Sequence, residues 1–211
     1  MQSKFPYRLY LVLSEEACPG GDFVQVAEQA IKGGVDLVQL REKRATPTQF
    51  LEKALRLQER LSRYHVPLII NDNLEVAMQS SAFGIHVGNH DISPRQIRSV
   101  WKTCQSLGLS IEYPEQLESD DVKVSDCLGI SPVFQSSTKK NTVTEWGIQG
   151  IEQIRSLTDK PLIAIGNIHA GNAREVMKAG ADCIAVVSAI CGASDPAKAA
   201  CEIRNQIEKM V

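Results

Sequence analysis

Val35-Asp36-Leu37-Val38-Gln39-Leu40-Arg41-Glu42-Lys43 is an apolar run that turns polar within one strand's length. Side chains on a strand alternate between two faces. Val38 and Leu40 therefore share one face, and Gln39, Arg41 and Lys43 share the other. The first face suits burial under a helix. The second carries an amide and two cations in a row, and burying unpaired polar groups is costly. A multiply charged anion satisfies Arg41 and Lys43 together. A strand end fraying into solvent accounts for Glu42-Lys43-Arg44 but explains Gln39 and Arg41 poorly.

The same strand-then-helix rhythm extends in both directions. Strands are expected at 7–13, 36–41, 67–72, 84–88, 109–111 (a weak one), 126–134, 161–166 and 183–188. Helices are expected at 23–32, 46–64, 74–79, from Pro94 behind a Ser93 cap, at 114–118, 148–157, 173–179 and 196–209. In the second helix Phe50, Leu51, Ala54, Leu57 and Leu61 fall at helical spacing. Strict alternation implies parallel strands joined by helices. Eight units with no linker and no second compositional zone predict one α/β domain over 1–211, a closed (β/α)₈ TIM barrel. An open doubly wound sheet is the alternative, but no glycine-rich dinucleotide turn follows the first strand.

Composition narrows the function classes. The chain has 211 residues with a net charge of -2, so a general attraction to nucleic acid or membrane is not expected. It has no run of 18 apolar residues and no signal-peptide start, which points to a cytoplasmic protein. The six cysteines form no C-x-x-C pair and read as free thiols. Self-association into a homo-oligomer is left open.

In such a barrel, chemistry sits at the C-terminal ends of the strands. Polar residues collect there: Gln39, Arg41 and Lys43; Asn71 and Asp72; Asp91; Ser110; Ser136, Ser137, Thr138, Lys139 and Lys140; Gly166-Asn167; Val187-Ser188. Asp72 and Asp91 follow neighbouring strands, and two carboxylates at that spacing suit Mg²⁺. With the cations Arg41, Lys43 and Lys139 they make a site for a diphosphate. The loops after strands seven and eight suit a second, single phosphate held by backbone N–H groups. His86, in an apolar strand, reads as a packed histidine with satisfied nitrogens. His90 is a candidate neighbour of the metal ligand Asp91. Residues 135–146 form a long polar loop that is expected to close as a lid.

Six ordered blocks now identify a resemblance: VQLREK at 38–43, IIND at 69–72, GIHVGNHD at 84–91, SPVFQSSTKK at 131–140, AIGNI at 164–168 and GADCIAVVSAI at 180–190. Over essentially its whole length the chain resembles the thiamine-phosphate synthase family. The resemblance implies a (β/α)₈ barrel and a transferase of thiamine biosynthesis. Such an enzyme condenses 4-amino-5-hydroxymethyl-2-methylpyrimidine diphosphate with 4-methyl-5-hydroxyethylthiazole phosphate, with Mg²⁺, to give thiamine phosphate and diphosphate. Its two partners are small phosphorylated substrates.

By the same resemblance, Gln39, Leu40, Arg41, Glu42, Lys43, Asn71, Ser110 and Lys139 bind the pyrimidine diphosphate. Asp72 and Asp91 hold the metal, and Arg41, Lys43 and Lys139 act on the leaving group. Ser136, Ser137, Thr138, Asn167, Val187 and Ser188 hold the thiazole phosphate. The chain departs from the family in having Ser136 for threonine, Gly166-Asn167 for Gly-Gly, and Asn89-His90 for glutamine with a small or acidic residue. The implied mechanism is dissociative: diphosphate leaves, a pyrimidine-methylene cation remains, and the thiazole nitrogen attacks it. Two alternatives stand beside it: a thiazole tautomerase of the same superfamily, and a phosphate-binding barrel without catalysis. A tautomerase has no need of the pyrimidine half of the site, which is present here.

Overall fold

A computed structural model describes residues 5–19, 21–135 and 145–209. Eight parallel strands follow one another around a closed barrel. They are β1 (Leu9–Leu13), β2 (Leu37–Leu40), β3 (Leu68–Asn71), β4 (Gly84–Val87), β5 (Ser106–Ile111), β6 (Cys127–Ile130), β7 (Leu162–Ile165) and β8 (Cys183–Val186). The barrel closes where Leu9 of β1 pairs with Ile184 of β8. The connecting helices are α1 (Phe23–Lys32), α2 (Pro47–Ser62), α3 (Leu74–Gln79), α4 (Pro94–Val100), α5 (Asp120–Val124), α6 (Gly147–Leu157), α7 (Ala173–Lys178), α8 (Ser188–Cys191) and α9 (Pro196–Glu208).

The period of two along each strand divides two cores. Leu11, Val38, Leu40, Ile70, Ile85, Leu107 and Leu128 face outward and pack under the helices. Tyr10, Val12, Leu37, Ile69, Cys127, Ile163, Cys183 and Ala185 fill the inside of the barrel. Helix starts are fixed locally. Thr46 and Ser93 each cap a helix that has proline at its start, with Gln49 and Gln96 completing capping boxes.

Several boundaries differ from expectation. The fifth strand spans Ser106–Ile111 rather than 109–111. Its inward residues are Ser106, Gly108 and Ser110, so apolar residues mark one face only. The sixth strand stops at Ile130, two residues before Pro132, which has no N–H to offer a ladder. Ser119 caps the extra helix α5. Another, α8, begins at Ser188, where the eighth strand was expected to end.

The face where the strands begin is tied together by one repeated device. Asp36, Asp126 and Asp182 each lie just before a strand. Their carboxylates accept hydrogen bonds from the backbone N–H groups of Arg8 and Leu9, of Leu107, and of Leu162. Each also pairs with an arginine from a surrounding helix: Arg204, Arg98 and Arg155 respectively. Charge-assisted bonds of this kind are the stronger class. They hold the closed end and leave the opposite end to function.

Candidate active site

At the open end, the alternation of 38–43 divides that block as expected. Gln39 points inward and is buried, and its Nε2 donates to the Tyr10 hydroxyl at 2.7 Å. That bond fixes the direction of the amide. Burial holds the Tyr10 phenol well above its ordinary pKa, so it stays protonated. Arg41 is half-buried at the mouth, and its backbone N–H donates to Leu13 of β1 at 2.9 Å. Among the described residues its guanidinium has no hydrogen-bond or ion-pair partner. Lys43 is exposed and pairs with Asp72.

Leu40 and Glu42, expected within the same binding block, have side chains directed the other way. Leu40 is wholly buried in the outer core. The Glu42 carboxylate takes Lys53 at 2.7 Å and the backbone N–H of Glu15 at 2.7 Å. Only their backbones can face a ligand in the mouth.

Asn71 ends β3 on its inward side and is buried, opposite His86 of β4. Asp72 follows in the left-handed region, at φ 63°. That bend turns its carboxyl toward the mouth, where Asp91 reaches it from the loop after β4. Asp91 is itself held by the Gly88 N–H at 2.8 Å. Burial raises the Asp72 pKa first, Lys43 lowers it, and the Asp91 carboxyl raises it again. Two carboxylates thus share a site with one ammonium. Among the described residues no group of three or more His, Cys, Asp or Glu side chains could enclose a metal. His90 is exposed beside Asp91.

Ser110 lies on the inward face of β5, and its Oγ is 2.9 Å from His86 Nε2. After β7, Gly166 at φ 122° and Asn167 at φ 50° form a left-handed turn. Asn172 Nδ2 donates to the Asn167 carbonyl at 3.1 Å. Asparagine is among the non-glycine residues that best tolerate this region. After β8, Val187 leads into α8, and Ser188 is exposed at its first position. The first N–H groups of a helix have no partner within it. Ser136, Ser137, Thr138, Lys139 and Lys140 lie outside the described residues, as do positions 136–144 of the lid expected at 135–146.

The structure therefore brings Gln39, Arg41, Lys43, Asn71, Asp72, Asp91 and Ser110 to one end of one barrel, with Asn167, Val187 and Ser188 on neighbouring strand ends. A model of the family described as thiamine monophosphate synthase matches residues 9–190. The chain belongs to that family. It is 43% identical over 201 residues to the thiamine-phosphate synthase of Albidiferax ferrireducens, covering 95% of this chain and 92% of that one. It is 41% identical over 210 residues to the thiamine-phosphate synthase of Leptospira biflexa, covering 98% and 100%. A solved thiamine phosphate pyrophosphorylase from Pyrococcus furiosus superposes with a TM-score of 0.87 at 28% identity, covering 98% of each chain. The family and the closed barrel expected from the six blocks are both borne out.

Pairings across the barrel were not foreseen: Tyr10 beneath Gln39, Lys43 on Asp72, and the contact between His86 and Ser110. A signal for the last was present. Gly108 and Gly129 occupy inward positions on two successive strands, as room for a ring requires.

Proposed function

We propose that this thiamine monophosphate synthase family member is a transferase that joins 4-amino-5-hydroxymethyl-2-methylpyrimidine diphosphate to 4-methyl-5-hydroxyethylthiazole phosphate. The products are thiamine phosphate and diphosphate. The observation that carries this reading is Arg41. A half-buried guanidinium without a partner among the described residues, beside Lys43, Asp72 and Asp91, suits an anion. Its planar fork suits two phosphate oxygens at once.

The residues fit Mg²⁺. Asp72 and Asp91 carry two negative charges against the single charge of Lys43, and burial makes that imbalance costly at Asp72. The cation would be held by these two carboxylates and would draw its remaining oxygens from water and substrate, as Mg²⁺ usually does. Bound there, it would neutralise charge on the leaving diphosphate.

The chain's own part is positioning and charge stabilisation. Arg41 binds diphosphate oxygens, and Lys43 exchanges its carboxylate partner for the same anion. Lys139 is assigned to that anion by the family motif alone. Gln39, locked by Tyr10, and Asn71 orient the pyrimidine. The turns at Gly166-Asn167 and Val187-Ser188 hold the thiazole phosphate through backbone N–H groups. The carbon–oxygen bond breaks with both electrons leaving on diphosphate. The thiazole nitrogen then supplies the pair for the new carbon–nitrogen bond. No protein nucleophile takes part.

The test is product formation from both substrates with and without Mg²⁺, followed for thiamine phosphate and released diphosphate. Both products should require both substrates and the metal. Arg41→Met should lower kcat by about 10²-fold or more, and Arg41→Lys should restore only part of it. Turnover of a thiazole phosphate in the absence of the pyrimidine diphosphate would favour the tautomerase instead.

A further inference from the structure

His86 lies on the inward face of β4, level with Gly108 of β5. Its ring fits because two neighbours have no side chain. A Cβ on Gly108 would come within 2.3 Å of His86 Nδ1, and one on Gly129 within 3.0 Å of Cε1. The ring is thus walled in by two strands, and its Nε2 meets the Ser110 hydroxyl at 2.9 Å. Ser110 is half-buried and opens toward the mouth, whereas Ser106, on the same face of β5, is buried.

A hydroxyl has one proton and two lone pairs, so the partner that takes its proton decides what it offers elsewhere. If Nε2 carried a proton, Ser110 would present its own O–H to the substrate. If Nε2 is bare, Ser110 donates to it and presents lone pairs. The two cases recognise opposite chemistry on a 4-aminopyrimidine: the first a ring nitrogen, the second the exocyclic amino group. Ionisation of the pyrimidine draws electrons from that amino group, and its N–H bonds grow more acidic as positive charge develops. An acceptor aimed at them binds the transition state more tightly than the ground state.

Resting on the reading above, we propose that His86 is a positioning residue for Ser110. Its Nε2 accepts the Ser110 proton in a hydrogen bond, so the serine oxygen accepts from the exocyclic amino group and supports ionisation. His86 itself need not touch the substrate, and the glycines at 108 and 129 exist to admit its ring.

A double-variant cycle tests this: Ser110→Ala, His86→Ala and the two combined, each followed for kcat, both KM values and urea stability. His86→Ala should lower kcat by roughly 10- to 100-fold, with the KM for the thiazole phosphate unchanged. Adding Ser110→Ala to it should cost far less than Ser110→Ala costs alone. Losses that simply multiply would show that His86 only fills space, and would overturn the proposal. Should His86→Ala not fold, Gly108→Ala keeps both groups and forces the ring to shift, because its Cβ would come within 2.3 Å of Nδ1, and unchanged kcat in that variant would also overturn it. Imidazole nitrogen shifts in the substrate-free wild type should show the Nδ1–H tautomer, with Nε2 responding to Ser110→Ala. A protonated Nε2 refutes the stated polarity. If the wild type makes no thiamine phosphate while these shifts behave as expected, the functional reading fails and the His86–Ser110 geometry stands.

Discussion

Replacing Gly166 by alanine tests the turn after β7 on two separable grounds. Its φ of 122° lies in territory that L side chains rarely adopt. An added Cβ would also come within 2.8 Å of Pro132 Cα and the Val133 nitrogen, backbone atoms that cannot swing aside. Gly147 provides the control: its φ is 60°, and a Cβ there would meet nothing within 4 Å among the described residues. Backbone strain alone costs about 1–2 kcal/mol, and overpacking adds about 1–3 kcal/mol. Gly147→Ala should therefore lose about 1–2 kcal/mol, and Gly166→Ala about 2–5 kcal/mol. For a chain of this size that is a fall in Tm of roughly 2–8 °C against roughly 4–20 °C. Equilibrium urea unfolding followed by ellipticity measures both. Affinity for the thiazole phosphate, measured by calorimetry, should fall in Gly166→Ala and hold in Gly147→Ala. Equal stability losses would refute the crowding argument, and an unchanged affinity in Gly166→Ala would remove this turn from the phosphate site.

Three further outcomes follow from the same structure. Asp182→Ala strands the Leu162 N–H and one arm of Arg155, so urea unfolding should show a loss of about 1–3 kcal/mol while kcat holds, because the change lies at the closed end; a fall in kcat at full stability would contradict this. The Tyr64 hydroxyl is the largest cause holding Glu28 down from its ordinary 4.5 to about 2. The Glu28 carboxylate therefore contributes stability above pH 4.5 that is lost as the pH falls toward 2, and Tyr64→Phe should move acid unfolding to higher pH. An unchanged ellipticity midpoint would count against it. Of the six thiols only Cys201 is exposed, and burial pushes Cys127 up to about 12, so alkylation of the native protein should label Cys201 alone and spare activity. Mass spectrometry that finds a second fast thiol would contradict that packing.

The sequence by itself determined what depends on neighbours along the chain. Period-two alternation divided Val38 and Leu40 from Gln39 and Arg41, and Thr46 and Ser93 marked helix starts three residues from the glutamines that complete their caps. Strict strand–helix order fixed parallel strands, and six ordered blocks fixed the family. At Ser106-Leu107-Gly108 a single leucine stands between small residues, and the strand expected at 109–111 begins in the structure at Ser106. Tertiary structure alone decided the pairings that give those residues their roles. Lys43 meets Asp72 across 29 positions, Gln39 meets Tyr10 across 29, and His86 meets Ser110 across 24. Hydrogen bonds and ion pairs act over a few ångströms, and no local rule brings such residues that close. The register and closure of the barrel do so, and among the described residues they leave the Arg41 guanidinium without a partner at the mouth.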